Sequence, residues 1–421
     1  MKRSRYVVIL VIVALISHHQ WLFFFNTFSF SDWMYWNDVT VRQLSDSYGT
    51  WISFFNFGSI NILPQYNLFT SVWSLFAHLN LSYDAATKIT FLYPIALLGF
   101  ISPYLLLGKL TKDDQISCTV SLFYGSTTYF LVRQTSHMQI DFVYALAPLC
   151  LWLFLRALEH NKATQWVMFV VVYWISMCYE IRITYIVTFI LFFFFVLFHS
   201  HHVRRYWRNI LLAAILIVGL SQFWLLPAIL GGSSESISEV TSRGLFGDFL
   251  FGIGHALTIH DSAWTGGLPN SHFVMQPIPW FLWLIPILSF FVFFLYNRHA
   301  RKKEIVFFAV IALLGIFLAK QSGQPFPTVY KWLYIHFPGF NLFREASKFY
   351  LLIAIGYTGL LGYGLLALKE HRNKVLRTHG FAVMLTTIIA IAVWNLTPLV
   401  TGSIGTMFVP RYIPNDYLVF N

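Results

Sequence analysis

Long apolar runs recur along almost the whole chain, nearly free of charge and without the alternation of a strand. A bilayer core requires ~20 mainly apolar residues per crossing helix. In hydrocarbon only helices and closed barrels can satisfy every backbone N–H and C=O. Runs that are continuous rather than alternating select helices. Composition agrees: 57% of the 421 residues are apolar and 11% charged, against about 25% charged in a soluble domain. So few charges could not cover a soluble globule. A disordered chain, a soluble nucleic-acid binder and a disulfide scaffold are excluded. Cys118, Cys150 and Cys178 lie in apolar runs with no metal-ligand spacing and read as core residues.

Eleven spans are predicted, near 6–25, 89–110, 115–132, 140–158, 164–178, 183–199, 209–229, 279–297, 304–319, 349–368 and 381–399. The fold class is therefore all-α: one polytopic helical membrane domain over 1–421 with about eleven transmembrane helices. The 164–199 stretch decides the count. As one helix it would be ~50 Å long, too long for a ~30 Å core. Two short helices with a tight turn at Tyr179–Arg182 fit better. They also keep Arg204, Arg205 and Arg208 on the basic face. With the N-terminus, carrying Lys2, Arg3 and Arg5, in the cytoplasm as an uncleaved anchor, eighteen of the 28 basic and five of the 17 acidic residues fall inside. The cytoplasmic face then sums to +13 and the other to −2, as the positive-inside rule requires. A multi-pass plasma-membrane protein with an extracytoplasmic C-terminus is expected.

Three outer segments exceed simple turns: 26–88, 230–279 and 320–348. Loops of that length are commonly functional. The first has room for one or two interfacial or re-entrant helices. In the third, Val329, Trp332, Leu333 and Phe337 form an apolar stripe suited to an interfacial helix. The cytoplasmic connections are short and basic, which argues against an ATP-driven pump within this chain. No internal repeat is visible, which weighs against a transporter built of paired halves.

Charges near the outer face carry the candidate chemistry. Asp32 and Asp38 follow the first span among Trp33, Tyr35 and Trp36. A carboxylate there could act as a general base on a hydroxyl; the plainer reading is loop acids in an aromatic belt. Glu180 and Arg182 sit in the tight turn, where ionisable groups are costly and mark either a site or a closing salt bridge. Arg344 and Lys348 are four apart, a spacing that on an α-helix gives one face. Two cations above apolar side chains suit a lipid-linked phosphate; snorkelling anchors are the alternative. His137 and Asp141 share the same spacing, fit for a His–carboxylate or metal pair, or for a simple polar helix end. His255, His260, Asp261 and His272 match no strong zinc pattern and read as loop residues. Of His18 and His19, one is expected to face the bundle; neither receives a role.

The segment Phe337-Pro338-Gly339-Phe340-Asn341-Leu342-Phe343-Arg344-Glu345-Ala346-Ser347-Lys348-Phe349 is similar to the PGF…FRxPxKF stretch of arabinofuranosyltransferase-like (AftD-type) and YfhO-type membrane proteins. Phe223-Trp224-Leu225-Leu226-Pro227 is similar to their fWllP element. With the lone first helix and the acidic first outer loop, the chain resembles the GT-C superfamily of membrane glycosyltransferases. Ala346 stands where the relatives usually have Pro. Their extracytoplasmic C-terminal domain is read as absent here, the chain ending at Asn421.

The resemblance implies transfer of a sugar from a polyprenyl-phosphate donor to a glycan, lipid or protein acceptor on the extracytoplasmic face. It implies a first-loop carboxylate as base, here Asp32 or Asp38, with Asp32 favoured as nearer the first helix. Donor-phosphate binding falls to Arg344 and Lys348, with Arg182, Glu180, His137 and Asp141 as further substrate-binding candidates. The first loop lacks Asp-x-Asp, so no metal ligands are assigned, and a divalent cation is the one cofactor left open. The expected partners are the lipid-linked donor, the acceptor and the bilayer, with no nucleic acid. The alternatives are a transporter or flippase of lipid-linked glycans and a non-catalytic subunit of a glycan-assembly complex.

Overall fold

A computed structural model describes residues 2–23, 41–42, 51–52, 59–60, 67–134, 137–230, 244–246, 252–260, 277–295 and 301–402. Helices occupy every predicted span. They are α1 (Lys2–Ser17), α2 (Asn67–His78), α3 (Tyr93–Thr111), α4 (Asp114–Gly125), α5 (Thr128–Arg133), α6 (Met138–His160), α7 (Ala163–Tyr179), α8 (Ile181–His199), α9 (Val203–Leu220) and α10 (Gln222–Leu230). The helical segment Trp280–Leu295, called α11, follows. Then come α12 (Lys302–Ala319), α13 (Pro327–His336), α14 (Tyr350–Lys369) and α15 (Phe381–Thr401). A two-residue antiparallel ladder pairs Trp51 with Ile60 and Ile52 with Ser59 in the first long segment.

The 164–199 stretch breaks where length requires. Glu180 alone is extended (φ −155°, ψ 98°) between the end of α7 and the start of α8. A 3-10 turn at Ser200–His202 separates α8 from α9. There α9 returns along α7, and Asn209 donates to Asn161 at 2.7 Å. The amphipathic expectations also appear as helices. In the first long segment α2 buries Phe69 and Trp73, and α13 buries Tyr330 and Tyr334 while exposing Trp332 and Ile335.

Polar contacts sort into two ends of the bundle. At one end Lys109 pairs with Glu159, Lys369 with Asp113, and Arg301 with Glu370. These residues all belong to the connections assigned to the basic face. The outer connections meet at the other end, around Arg133, Glu180 and Glu345. The threading of the described helices is therefore up-and-down, with these basic connections gathered at one end of the bundle.

At the centre stands α14. Its residues are apolar and small on every side, as expected of a helix surrounded by protein rather than lipid, and it is buried on all sides. It packs most extensively on α12. Close approach there depends on missing side chains: a Cβ placed on Gly356 would lie 2.7 Å from both the backbone nitrogen and the Cβ of Ala312. Small residues at such crossings let helices gain dispersion contact where hydrophobic exclusion offers little. Gly356→Val is expected to cost about 1–3 kcal/mol through overpacking, read as a lower melting midpoint in detergent. Gly219→Val in α9 is the control, since nothing lies within 4 Å of a Cβ at that site; equal midpoints for the two variants would refute the packing argument.

Candidate active site

Four segments converge at the end of the bundle opposite those basic connections: the last residue of α5, the first turn of α6, the α7–α8 break and the turn leading into α14. Local sequence explains each placement. Arg133 ends α5 and is 0% exposed, its guanidinium carbon 5.3 Å from the ring centroid of Tyr129. Tyr129 in turn stacks on Tyr350 with ring centroids 5.4 Å apart. The 340–349 turn is built on aromatics. Phe349 stacks on Phe340 at 5.6 Å and meets Phe343 at 4.8 Å, and the Tyr330 hydroxyl donates to the Phe343 carbonyl at 2.7 Å. These contacts fix the backbone from which Glu345, Ser347 and Lys348 project.

The ionic core is a triad. Arg133 Nη2 donates to Glu345 Oε1 at 2.6 Å, and Lys348 Nζ donates to Glu345 Oε2 at 3.0 Å. Ser347 accepts from Arg133 and donates to Glu345. Beside it, Arg182 grips Glu180 as a fork: Nε donates to Oε1 at 2.6 Å, Nη2 to Oε2 at 2.7 Å, and the Arg182 backbone N–H to Oε1 at 3.1 Å. Glu180 is buried, whereas the Arg182 side chain is about one-third exposed (34%) and forms the wet edge of the cluster.

Electrostatics follow from this pairing. Burial alone would raise the Glu345 carboxyl, but the charges of Arg133 and Lys348 and the Ser347 hydrogen bond outweigh it and hold it well below the ordinary 4.5. Burial opposes ionisation of Glu180 as well, and Arg182 outweighs it. His137 is pushed down to about 3, chiefly by burial and then by the positive charge of Arg133. It is therefore neutral at neutral pH and can both donate and accept. Arg133 and Lys348 share one carboxylate, so the triad carries a net positive charge at a site lined by apolar rings.

Arg344 and Lys348 do not share a helix face. Glu345 between them is extended (φ −107°, ψ 117°) and α14 begins only at Tyr350, so the four-residue spacing lacks the helical turn that would align them. Lys348 is buried in the triad. The half-buried Arg344 packs its guanidinium carbon 5.6 Å from the Phe246 ring centroid. Its carbonyl accepts from Phe246 N and Gln321 Nε2, each at 3.0 Å. His137 precedes the first residue of α6 without a side-chain capping bond, and Asp141 lies one turn on, 0% exposed. Asp32, Asp38, Asp261 and His272 fall outside the described residues. His260 is buried with its ring 6.1 Å from that of His255. No group of three His, Cys, Asp or Glu residues suited to a metal occurs among the described residues. The three cysteines are buried and free.

Arg133, Glu345 and Ser347 are the site residues that sequence reasoning missed. An arginine ending an apolar run looks like an ordinary flank. The available signal was scarcity: Arg133 is the one Lys or Arg between the spans predicted at 115–132 and 140–158. His18 is the first-helix histidine that faces the bundle. Its Nε2 lies 2.9 Å from Gln134 Oε1, which ties the outer end of the first span to the residue beside Arg133.

No family model matches the chain, and no curated protein matches it. Among solved structures it is similar to the arabinofuranosyltransferase AftD from Mycobacteria, with a TM-score of 0.62 and 14% identity. That likeness covers 100% of this chain and 28% of the AftD chain, so the chain spans under a third of the length of that neighbour. What the two share is an architecture, and on it this chain is a multi-pass membrane protein with a GT-C-like fold.

Proposed function

We propose that the protein is a membrane glycosyltransferase that takes a sugar from a polyprenyl-phosphate donor on the extracytoplasmic face. The observation that carries this reading is the triad: two buried cations on one carboxylate, among aromatic rings, at a single end of a lipid-embedded bundle. An incoming phosphate completes the charge balance there, while its prenyl chain stays in the apolar phase. Arg182, at the wet edge, reaches the phosphate from the other side. The GT-C-like fold adds support, since the neighbour that shares it is an arabinofuranosyltransferase.

In the proposed reaction a first-loop carboxylate, Asp32, takes the proton of the acceptor hydroxyl. The oxygen attacks the anomeric carbon from the face opposite the phosphate, and the bond from that carbon to the phosphate oxygen breaks. The electron pair leaves on polyprenyl phosphate, whose new charge is stabilised by Arg133, Lys348 and Arg182. Glu180 orients Arg182. Arg344 acts from the adjoining turn, in contact with the 244–246 segment, as a second-rank cation for the same phosphate.

The test is transfer in detergent micelles, where translocation has no meaning. Purified protein is incubated with polyprenyl-phosphoryl sugars labelled in the sugar, and with glycan or glycolipid acceptors. Label is expected on the acceptor, with release of polyprenyl phosphate. Binding of the labelled lipids without transfer to any acceptor would instead support a flippase or a non-catalytic subunit.

A further inference from the structure

Asp141 differs from the other carboxylates of the cluster. Glu180 accepts three hydrogen bonds from Arg182, and Glu345 accepts from Arg133, Ser347 and Lys348. Asp141 is 0% exposed, yet neither of its oxygens accepts a hydrogen bond from any described residue. A buried carboxyl group without a hydrogen-bond partner forgoes the bonds it has in water, at a cost of about 1–3 kcal/mol, and a ligand donor that reaches it would restore them. The nearest charge is that of Arg133, and the stacked pair Tyr124 and Tyr144, 4.5 Å apart, lies alongside.

What it receives can be narrowed by chemistry. The neighbouring cations hold other carboxylates, and a metal would require further ligands that the described residues do not gather. A neutral donor remains. If Arg133 takes the donor phosphate, as the proposed function has it, the sugar bonded to that phosphate falls within one or two bond lengths of the cluster. Its hydroxyls are donors, and aromatic walls suit the apolar faces of a sugar ring. We infer that Asp141 is the acceptor for a hydroxyl of the donor sugar, and so separates a glycosylated lipid phosphate from a bare one. This rests on the reading of the site as a lipid-phosphosugar site and adds which part of the ligand the inner end of the cluster recognises.

Binding of polyprenyl-phosphoryl arabinofuranose, polyprenyl-phosphoryl mannose and sugar-free polyprenyl phosphate to the full chain in detergent tests it. Wild type should prefer one glycosylated lipid over the bare phosphate. In Asp141→Asn that preference should shrink roughly 10-fold, the order of one buried hydrogen bond, while binding of the bare phosphate holds. Retention of the preference in Asp141→Asn overturns the inference alone, as does equal loss for all three lipids, which marks a structural role. So does a shift confined to the KM of the acceptor, which would place an acceptor hydroxyl there. Should wild type bind none of the three, the proposed function falls and takes the inference with it. If the Asn variant does not fold, deoxy-sugar donors on wild type give the same answer: removing one hydroxyl should reproduce the loss, and uniform binding across the deoxy series overturns the assignment.

Discussion

Glu345→Ala should destabilise the protein by about 3–5 kcal/mol, the usual penalty for removing one partner of a buried ionic group. The variant leaves Arg133 and Lys348 without their shared carboxylate, and both are almost completely buried. The melting midpoint in detergent should fall sharply. The triple variant Arg133→Met, Glu345→Leu, Lys348→Met should recover most of the loss, because well-packed apolar replacements escape the desolvation cost, yet it should be inactive. Recovery of stability without activity would separate the fold from the site. The pH dependence has a definite sign. Glu345 titrates well below its ordinary 4.5 in the folded protein. The stabilisation it gives is therefore complete above about that pH and is lost as the pH falls through the lower folded value. A Glu345→Ala midpoint equal to that of wild type at neutral pH would rule out this account of the triad.

The largest effect on turnover is expected at Asp32 and Asp38. A sugar hydroxyl is a poor nucleophile until its proton is taken, and a positioned base contributes typically 10²–10⁴-fold. The double variant Asp32→Asn, Asp38→Asn should lose transfer by about that factor, with donor binding and melting midpoint preserved. Asp32 itself lies outside the described residues; the nearest described anchor is the His18–Gln134 contact, which holds the first span beside the end of α5. Native-rate transfer by the double variant would move the base elsewhere, and the neutral His137 would be the next residue to replace.

Helix placement was legible in the sequence because hydrocarbon imposes a length on each apolar run. The Glu180 break followed from the same length argument, applied to a stretch too long for one crossing. That the short basic connections gather at one end followed from charge. The site was legible in its outline and not in its pairing. Arg182 with Glu180, two apart in sequence, was within reach of local reasoning. Arg133 with Glu345 was not: they are 212 residues apart, and no periodicity links them. The shared face of Arg344 and Lys348 failed for a local reason, since spacing speaks about faces only where the backbone is α-helical, and Glu345 is extended so that its carboxylate can serve two cations.

The enclosure of α14 has a consequence for where the protein can be disturbed. The turn bearing Glu345 and Lys348 is the root of a column that acyl chains do not touch, locked through Gly356 to a neighbour at near-contact distance. Changes in bilayer thickness or fluidity act first on peripheral helices such as α9, whose Leu211, Leu212 and Ile215 face outward. They would reach the ionic triad only after crossing that inner pair, so the turn that carries the triad is insulated from motion in the surrounding lipid.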